Sequence, residues 1–244
     1  MIQDTVFGLH AVEALALKEP ESIIAIKIQQ GREDKRLSKL LQLLQQQSIS
    51  YFTVPRKELD SLVSGRHQGV VALVKAEPVK DEGDLEDILN ALQVPPFLLV
   101  LDSVTDPHNL GACLRSADAA GVHAVIVPKD NSAPLNSVAK KVACGAAENV
   151  PVIRVTNLAR TMKWLQNYGI WLTGAAGEAE NTIYQTDFKG AIALVMGAEG
   201  SGLRRLTREH CDQLTKIPMQ GTVSSLNVSV ATGICLFEAL RQRS

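Results

Sequence analysis

The residues of this 244-residue chain best suited to chemistry gather in three short stretches. The first is Asp102-Ser-Val-Thr-Asp106-Pro107-His108-Asn109-Leu110-Gly111, directly after the apolar run FLLVL. Pro107 restricts the turn, and Asn109 suits the N-cap of a helix. Arg115 follows among Gly111, Ala112, Ala117, Ala119 and Ala120. A lone arginine on a helix usually snorkels to solvent, but these small flanks favour close backbone packing and a buried, hydrogen-bonded guanidinium. The second stretch is Gly197-Ala198-Glu199-Gly200-Ser201-Gly202-Leu203, after AIALVM. Its glycines let backbone approach a ligand closely and offer N–H donors. Their order, G-x-x-G-x-G, is neither a dinucleotide fingerprint nor a Walker A loop. Glu199 would repel phosphate, so a cofactor with hydroxyls, amines or a sulfonium centre fits better. The third runs from Ile217-Pro218-Met219 through Ser224-Ser225-Leu226-Asn227 into the apolar segment NVSVATGICLFEAL. Ser224 or Ser225 suits the helix cap. Capping leaves Asn227 unexplained, and a polar residue opening such a helix packs against a ligand or a second chain.

Together these stretches offer Asn109, Arg115, Glu199, Ser225 and Asn227 as a polar set. No Ser-His-Asp pattern, metal-ligand spacing or P-loop selects a reaction, and no metal site is expected.

A mostly parallel sheet must hold these loops. Strands are expected at 97–101, 123–127, 152–155, 170–173, 191–196 and 214–217, and helices at 109–120, 137–147, 158–168 and 226–241. Continuous apolar strands alternating with helices give a sheet covered on both faces, which binds ligands beyond the carboxyl ends of its strands. Before residue 77 the chain reads as a smaller α/β domain, with helices at 10–18 and 39–47 and strands at 22–28, 50–54 and 69–75. Between the two, residues 77–95 form an acidic linker containing a short helix capped by Asp84 and halted by Pro95-Pro96.

The formal net charge of −1 conceals an uneven distribution. Residues 1–76 and 91–244 each carry +2, and residues 77–90 carry −5. Two mildly basic lobes therefore flank an acidic hinge, and a nucleic-acid partner stays open. Gly31-Arg32-Glu33-Asp34-Lys35-Arg36, His10 and Arg66-His67 are exposed-loop candidates for phosphate contact, or simply solvated turns. With 45% apolar and 21% charged residues the chain is globular. No apolar run reaches the roughly 18–20 residues of a membrane span, and Asp4 stands where a signal peptide would be basic. Cys113, Cys144, Cys211 and Cys235 form no C-x-x-C pair, and read as buried thiols in a reducing cytoplasm.

At the three loops the sequence resembles the SpoU/TrmH branch of the SPOUT RNA methyltransferases. The resemblance is carried by D-x-V-x-D-P-x-N-x-G-x-x-x-R at 102–115, L-V-M-G-A-E-G-x-G-L at 194–203 and I-P-M-x-G-x-V-x-S-L-N-V-S-V-A at 217–231. G-L-H-A-V at 8–12, G-R-E-D-K-R at 31–36 and H-Q-G-V-V-A at 67–72 extend it to bacterial members acting on a 23S rRNA guanosine in the peptidyl-transferase region. It implies an L30e-like RNA-binding domain over 1–76 and a trefoil-knotted SPOUT domain over 96–244. It also implies a cytoplasmic homodimer acting on 23S rRNA or the assembling large ribosomal subunit. S-adenosylmethionine would lie against Met196, Gly197, Ala198, Gly200, Ile217, Met219 and Leu226, and leave as S-adenosylhomocysteine. Asn109, Arg115, Glu199, Ser225 and Asn227 match catalytic and substrate-orienting positions, and His10, Arg32, Lys35, Arg36, Arg66 and His67 would contact RNA. A tRNA 2′-O-methyltransferase, a non-catalytic RNA-binding assembly factor and a nucleotide-dependent oxidoreductase are the competing expectations. The glycine order disfavours the last.

Overall fold

Helix caps and alternating apolar residues explain most element boundaries. The computed structural model describes residues 3–63, 65–75, 79–200 and 202–243. It divides into two units, Met1–Pro78 and Val79–Ser244. The first contains β1 (Gln3–Phe7), α1 (Leu9–Lys18), β2 (Ile23–Gln29), α2 (Lys35–Gln46), β3 (Tyr51–Val54), α3 (Arg56–Leu62) and β4 (Val70–Lys75). Its sheet order is β1-β4-β2-β3, with β2 and β3 parallel and the other pairs antiparallel. Ile26, Val70 and Ala72 meet Val12, Leu40 and Leu44 of α1 and α2 in a buried core. The Asp34 carboxylate caps α2 by accepting the Arg36 and Leu37 N–H groups, so the basic turn is also a helix start. Sequence patterning misses β1 and α3. Both are short, and α3 buries only Leu59.

In the second unit follow α4 (Glu82–Ala91), β5 (Phe97–Asp102), α5 (Pro107–Ala119), β6 (Ala124–Pro128), α6 (Ser137–Ala143), α7 (Ala146–Asn149), β7 (Val152–Val155) and α8 (Leu158–Asn167). Then come β8 (Trp171–Ala175), β9 (Ile192–Gly197), α9 (Arg205–Glu209), β10 (Gln213–Thr215) and α10 (Val228–Arg243). The strands form one sheet, β10-β8-β9-β5-β6-β7, in which every pair is parallel. Leu99 and Leu101 of β5 enter a core with Leu110, Leu114 and Leu236, while Leu98 and Val100 enter another with Leu85, Leu158 and Met162. That alternation covers both faces and explains the continuous apolar strands.

The helix of the acidic segment packs into this second core through Leu85 and Leu89. Its N-cap is Asp81; Asp84 sits three residues on and bonds back to the Asp81 N–H, completing a capping box in place of the expected cap. Gly111 confirms the close packing read from small residues, since a Cβ there would lie 2.4 Å from the Ala139 carbonyl oxygen. The helix expected over 137–147 breaks at Cys144, whose φ is +52°. That turn exposes Cys144, so the four thiols are not uniformly buried. Burial pushes Cys113 up to about 11 and Cys235 to about 12.

After β10 the chain bonds to the β8–β9 connection: Lys216 N donates to Asn181 O (3.0 Å) and Ile183 N to Lys216 O (2.9 Å). It then returns as α10 to pack on α5 and β9. At its far end Glu238, 9% exposed, accepts bonds from Arg241 and Gln242, while Gln242 bonds the Phe188 N–H and the Thr186 carbonyl. Arg241, with Gln242, holds the Glu238 carboxyl down to about 2. A depressed carboxyl stabilises the fold above its unfolded pKa and loses that contribution as pH falls through its folded one. Melting temperatures of wild type and Glu238→Gln should therefore differ most above pH 5 and converge as pH approaches 2. Among the described residues no helix is long and apolar enough to cross a membrane, and no His/Cys/Asp/Glu cluster of three could hold a metal.

Candidate active site

The three chemical stretches all leave the carboxyl ends of β5, β9 and β10. Gly197 lies in register with Asp102. Beyond it the glycine loop folds back on itself, Ala198 and Gly202 exchanging backbone bonds of 3.1 and 2.9 Å. A Cβ at Gly197 would fall 2.1 Å from the Gly202 carbonyl carbon, so only glycine permits this closure. The fully buried Asp102 pins the loop's exit: Oδ2 accepts the Arg204 N–H (3.0 Å), and Oδ1 accepts its Nε (2.6 Å). Sequence reading did not select Asp102 or Arg204, because their pairing spans 102 positions.

Against this loop lies a cavity of about 630 Å³, within the range typical of small-molecule sites. Met196, Gly197, Ala198, Gly200, Ile217, Met219 and Leu226 all line it, together with Glu199 and Ser225. Residues 175–178 at the end of β8, Thr215 and Arg208 also line it and were missed by sequence reading. Apolar side chains, backbone groups and an exposed Glu199 suit a nucleoside carrying a positive sulfonium. Among the described residues the cations on the wall are Arg208, paired with Glu178, and Lys216. These residues fit S-adenosylmethionine.

Asn109 and Asn227 meet Glu199 beside the cavity. Asn227 Nδ2 donates to Asn109 Oδ1 (3.0 Å) and Glu199 Oε1 (3.2 Å), and Asn109 Nδ2 donates to Glu199 Oε2 (3.4 Å). Asn227 itself caps α10, its Oδ1 accepting the Ser229 N–H at 2.9 Å; neither Ser224 nor Ser225 has that role. Capping and a site contact therefore coexist in one side chain. Similarly, α5 is capped by Asp106 with Pro107 in its first turn, which corrects the expectation for Asn109 and leaves its amide facing the site. Arg115 overturns the burial expectation. It is exposed and has no hydrogen bond or ion pair among the described residues, because its helical position faces away from both cores.

In the first unit, Gln68 bonds to the segments that carry His10 and Arg32. Its Oε1 accepts the Leu9 N–H beside the exposed His10, and its carbonyl accepts Arg32. Arg32 and Arg66 line a cavity of about 370 Å³ with Arg56, which sequence reading missed along with α3. Lys35 and Arg36 are exposed on the first turn of α2. His67 presents no ring nitrogen to a ligand: it is 5% exposed, its Nδ1 accepts the Gly69 N–H and its Nε2 meets Asp60. The ring nitrogens serve the loop, while His67 lines the same cavity as Arg32, Arg56 and Arg66.

Two family models match the chain. The SpoU rRNA Methylase family covers residues 96–237, and the RNA 2′-O ribose methyltransferase substrate binding family covers residues 5–79. The chain is 62% identical over 244 residues, all of both proteins, to the 23S rRNA (guanosine-2′-O-)-methyltransferase RlmB of Escherichia coli strain K12. It is 59% identical, again over the whole of both proteins, to the protein of the same description from Photorhabdus laumondii. Among solved structures it is similar to the SpoU methyltransferase AviRb from Streptomyces viridochromogenes in complex with AdoMet. That match has a TM-score of 0.72 and 26% identity, and covers 98% of this chain and 90% of that one.

Proposed function

Because the chain belongs to the SpoU rRNA methylase family, we propose that it methylates the ribose 2′-hydroxyl of a guanosine in 23S rRNA from S-adenosylmethionine. The carrying observation is the bonding of Asn109, Asn227 and Glu199 beside the glycine-loop cavity. When bound, the cofactor supplies a methyl group on a sulfonium that is already a good leaving group. The chain's own residues are left with orientation and proton removal. Holding two reactants in line is worth up to roughly 7–11 kcal/mol in favourable cases. Asn109 and Asn227 orient the reacting groups through their amides. Arg115 stays protonated and meets the adjoining phosphate or the charge developing on oxygen.

The enzyme works as a cytoplasmic homodimer on 23S rRNA or the assembling large subunit. Val230 and Phe237, large apolar side chains half exposed on α10, support a second copy packing there. The first unit recognises RNA through Arg32, Arg56 and Arg66, aided by His10, Lys35 and Arg36. Arg56→Ala with Arg66→Ala should weaken rRNA binding, and lower the slope of log affinity against log salt by about 1–2. Filter binding across a salt series reads this out, and SAM affinity should not move.

The deciding experiment transfers labelled methyl from SAM to rRNA and tRNA pools and maps the modified nucleotide. Label on a 23S guanosine ribose is expected. Label confined to tRNA, or RNA binding with no transfer, would sink the proposal.

A further inference from the structure

Glu178 and Glu199 line this cavity and Asp102 lies buried at the exit of its glycine loop, and their partners set the three apart. Asp102 is bonded to the Arg204 guanidinium, and Glu178 is paired with Arg208. Glu199 has no cationic partner among the described residues; its two oxygens accept from the neutral amides of Asn227 and Asn109. An arginine neighbour occupies a carboxylate with charge-assisted bonds, whereas neutral amides orient it and leave its charge without a counter-ion.

The direction of those amides is fixed from α10. The Ser229 N–H can only donate, so the Asn227 atom facing it at 2.9 Å is the oxygen, and the Ser229 hydroxyl adds a second donor at 2.6 Å. The Asn227 NH2 is left for Asn109 Oδ1 and Glu199, and with its oxygen occupied Asn109 turns its own NH2 to Glu199. The result is an exposed, oriented carboxylate on the cavity wall.

Resting on the 2′-O-methylation reading, we propose that Glu199 takes the proton of the ribose 2′-hydroxyl. The O–H bond breaks towards the carboxylate while the 2′-oxygen bonds to the methyl carbon. The carbon–sulfur bond breaks with its electron pair going to sulfur, and the resulting Glu199 acid then releases its proton to water. Arg115 cannot accept this proton, because a guanidinium is already protonated. Ser225 and the two asparagines are not bases. His108 beside Asn109 meets Asp106 (Nδ1 to Oδ1, 3.2 Å), outside the bonded set.

The test compares wild type, Glu199→Gln and Glu199→Ala in single-turnover methyl transfer to a 23S rRNA fragment. Equilibrium binding of SAM and of the fragment is measured alongside. Transfer by both variants at saturating SAM should slow by about 10²–10⁴-fold, with fragment affinity changed less than about fivefold and SAM binding weakened but retained. Formate or acetate should restore transfer by Glu199→Ala, more strongly for the more basic anion. Loss of SAM binding in Glu199→Ala would make the residue a cofactor ligand and overturn the assignment. So would a Glu199→Gln rate within about tenfold of wild type, or a Glu199→Ala rate indifferent to added carboxylate. Wild-type protein that moves no methyl to any RNA overturns the underlying reading and this one with it. An active wild type with active Glu199→Gln overturns the proton assignment alone.

Discussion

Gly197→Ala should weaken SAM affinity by about 100-fold or more, equivalent to roughly 3 kcal/mol. The added methyl would sit 2.1 Å from the Gly202 carbonyl carbon and 2.3 Å from the Leu203 nitrogen. Both contacts are backbone, so no rotamer change relieves them. The loop must open, breaking the paired bonds between Ala198 and Gly202 and moving the wall formed by Ala198, Glu199, Gly200, Gly202 and Leu203. Calorimetric titration with SAM reads the affinity, and a lowered melting temperature should accompany its loss. Gly177 is the control: it lines the same cavity, but a Cβ there meets nothing within 4 Å. Gly177→Ala should leave the melting temperature unchanged. Full SAM affinity in Gly197→Ala would show that the closed loop is not the binding form.

Asn227→Ala should cut methyl transfer by about 100-fold or more, the scale of removing one fixed donor from a charge-developing site. Two losses coincide. The helix cap, worth about 1 kcal/mol, disappears, and Glu199 and Asn109 lose the amide that aligns them. Asn227→Ser separates the two, because serine also caps but does not reach as far. It should recover the melting temperature of wild type without recovering turnover, while SAM binding persists in both variants. Turnover restored by serine would mean that Asn227 acts only through the helix.

The expected elements were recovered wherever the signal was local. FLLVL and AIALVM are β5 and β9 because a parallel strand covered on both faces needs apolar residues throughout. Cap assignments fared worse. Asp106, Asp81 and Asn227 cap α5, α4 and α10, each a short polar residue within a few positions of another that sequence favoured. Capping depends on local φ and ψ, which composition leaves undetermined among neighbouring Ser, Asp and Asn residues. Burial was the least legible property. Arg115 in a run of small residues is exposed, and His67 in an apparently polar turn is buried, because each depends on which face another element covers.

The sequence by itself determined the three loops, their residue types and the apolar strands from which they spring. It also carried the family, since the motif spacings are properties of the chain order. Only the tertiary structure brought Asn109 to Glu199 across 90 positions and Asn227 to Asn109 across 118. Only it left Glu199 with neutral partners while Asp102 and Glu178 each met an arginine. The physical reason is the parallel register. Pairing β5 with β9 sets Asp102 beside Gly197, so loops far apart in the chain emerge at one edge of the sheet. Hydrogen bonds between them form at that edge, through side chains whose partners no local pattern specifies.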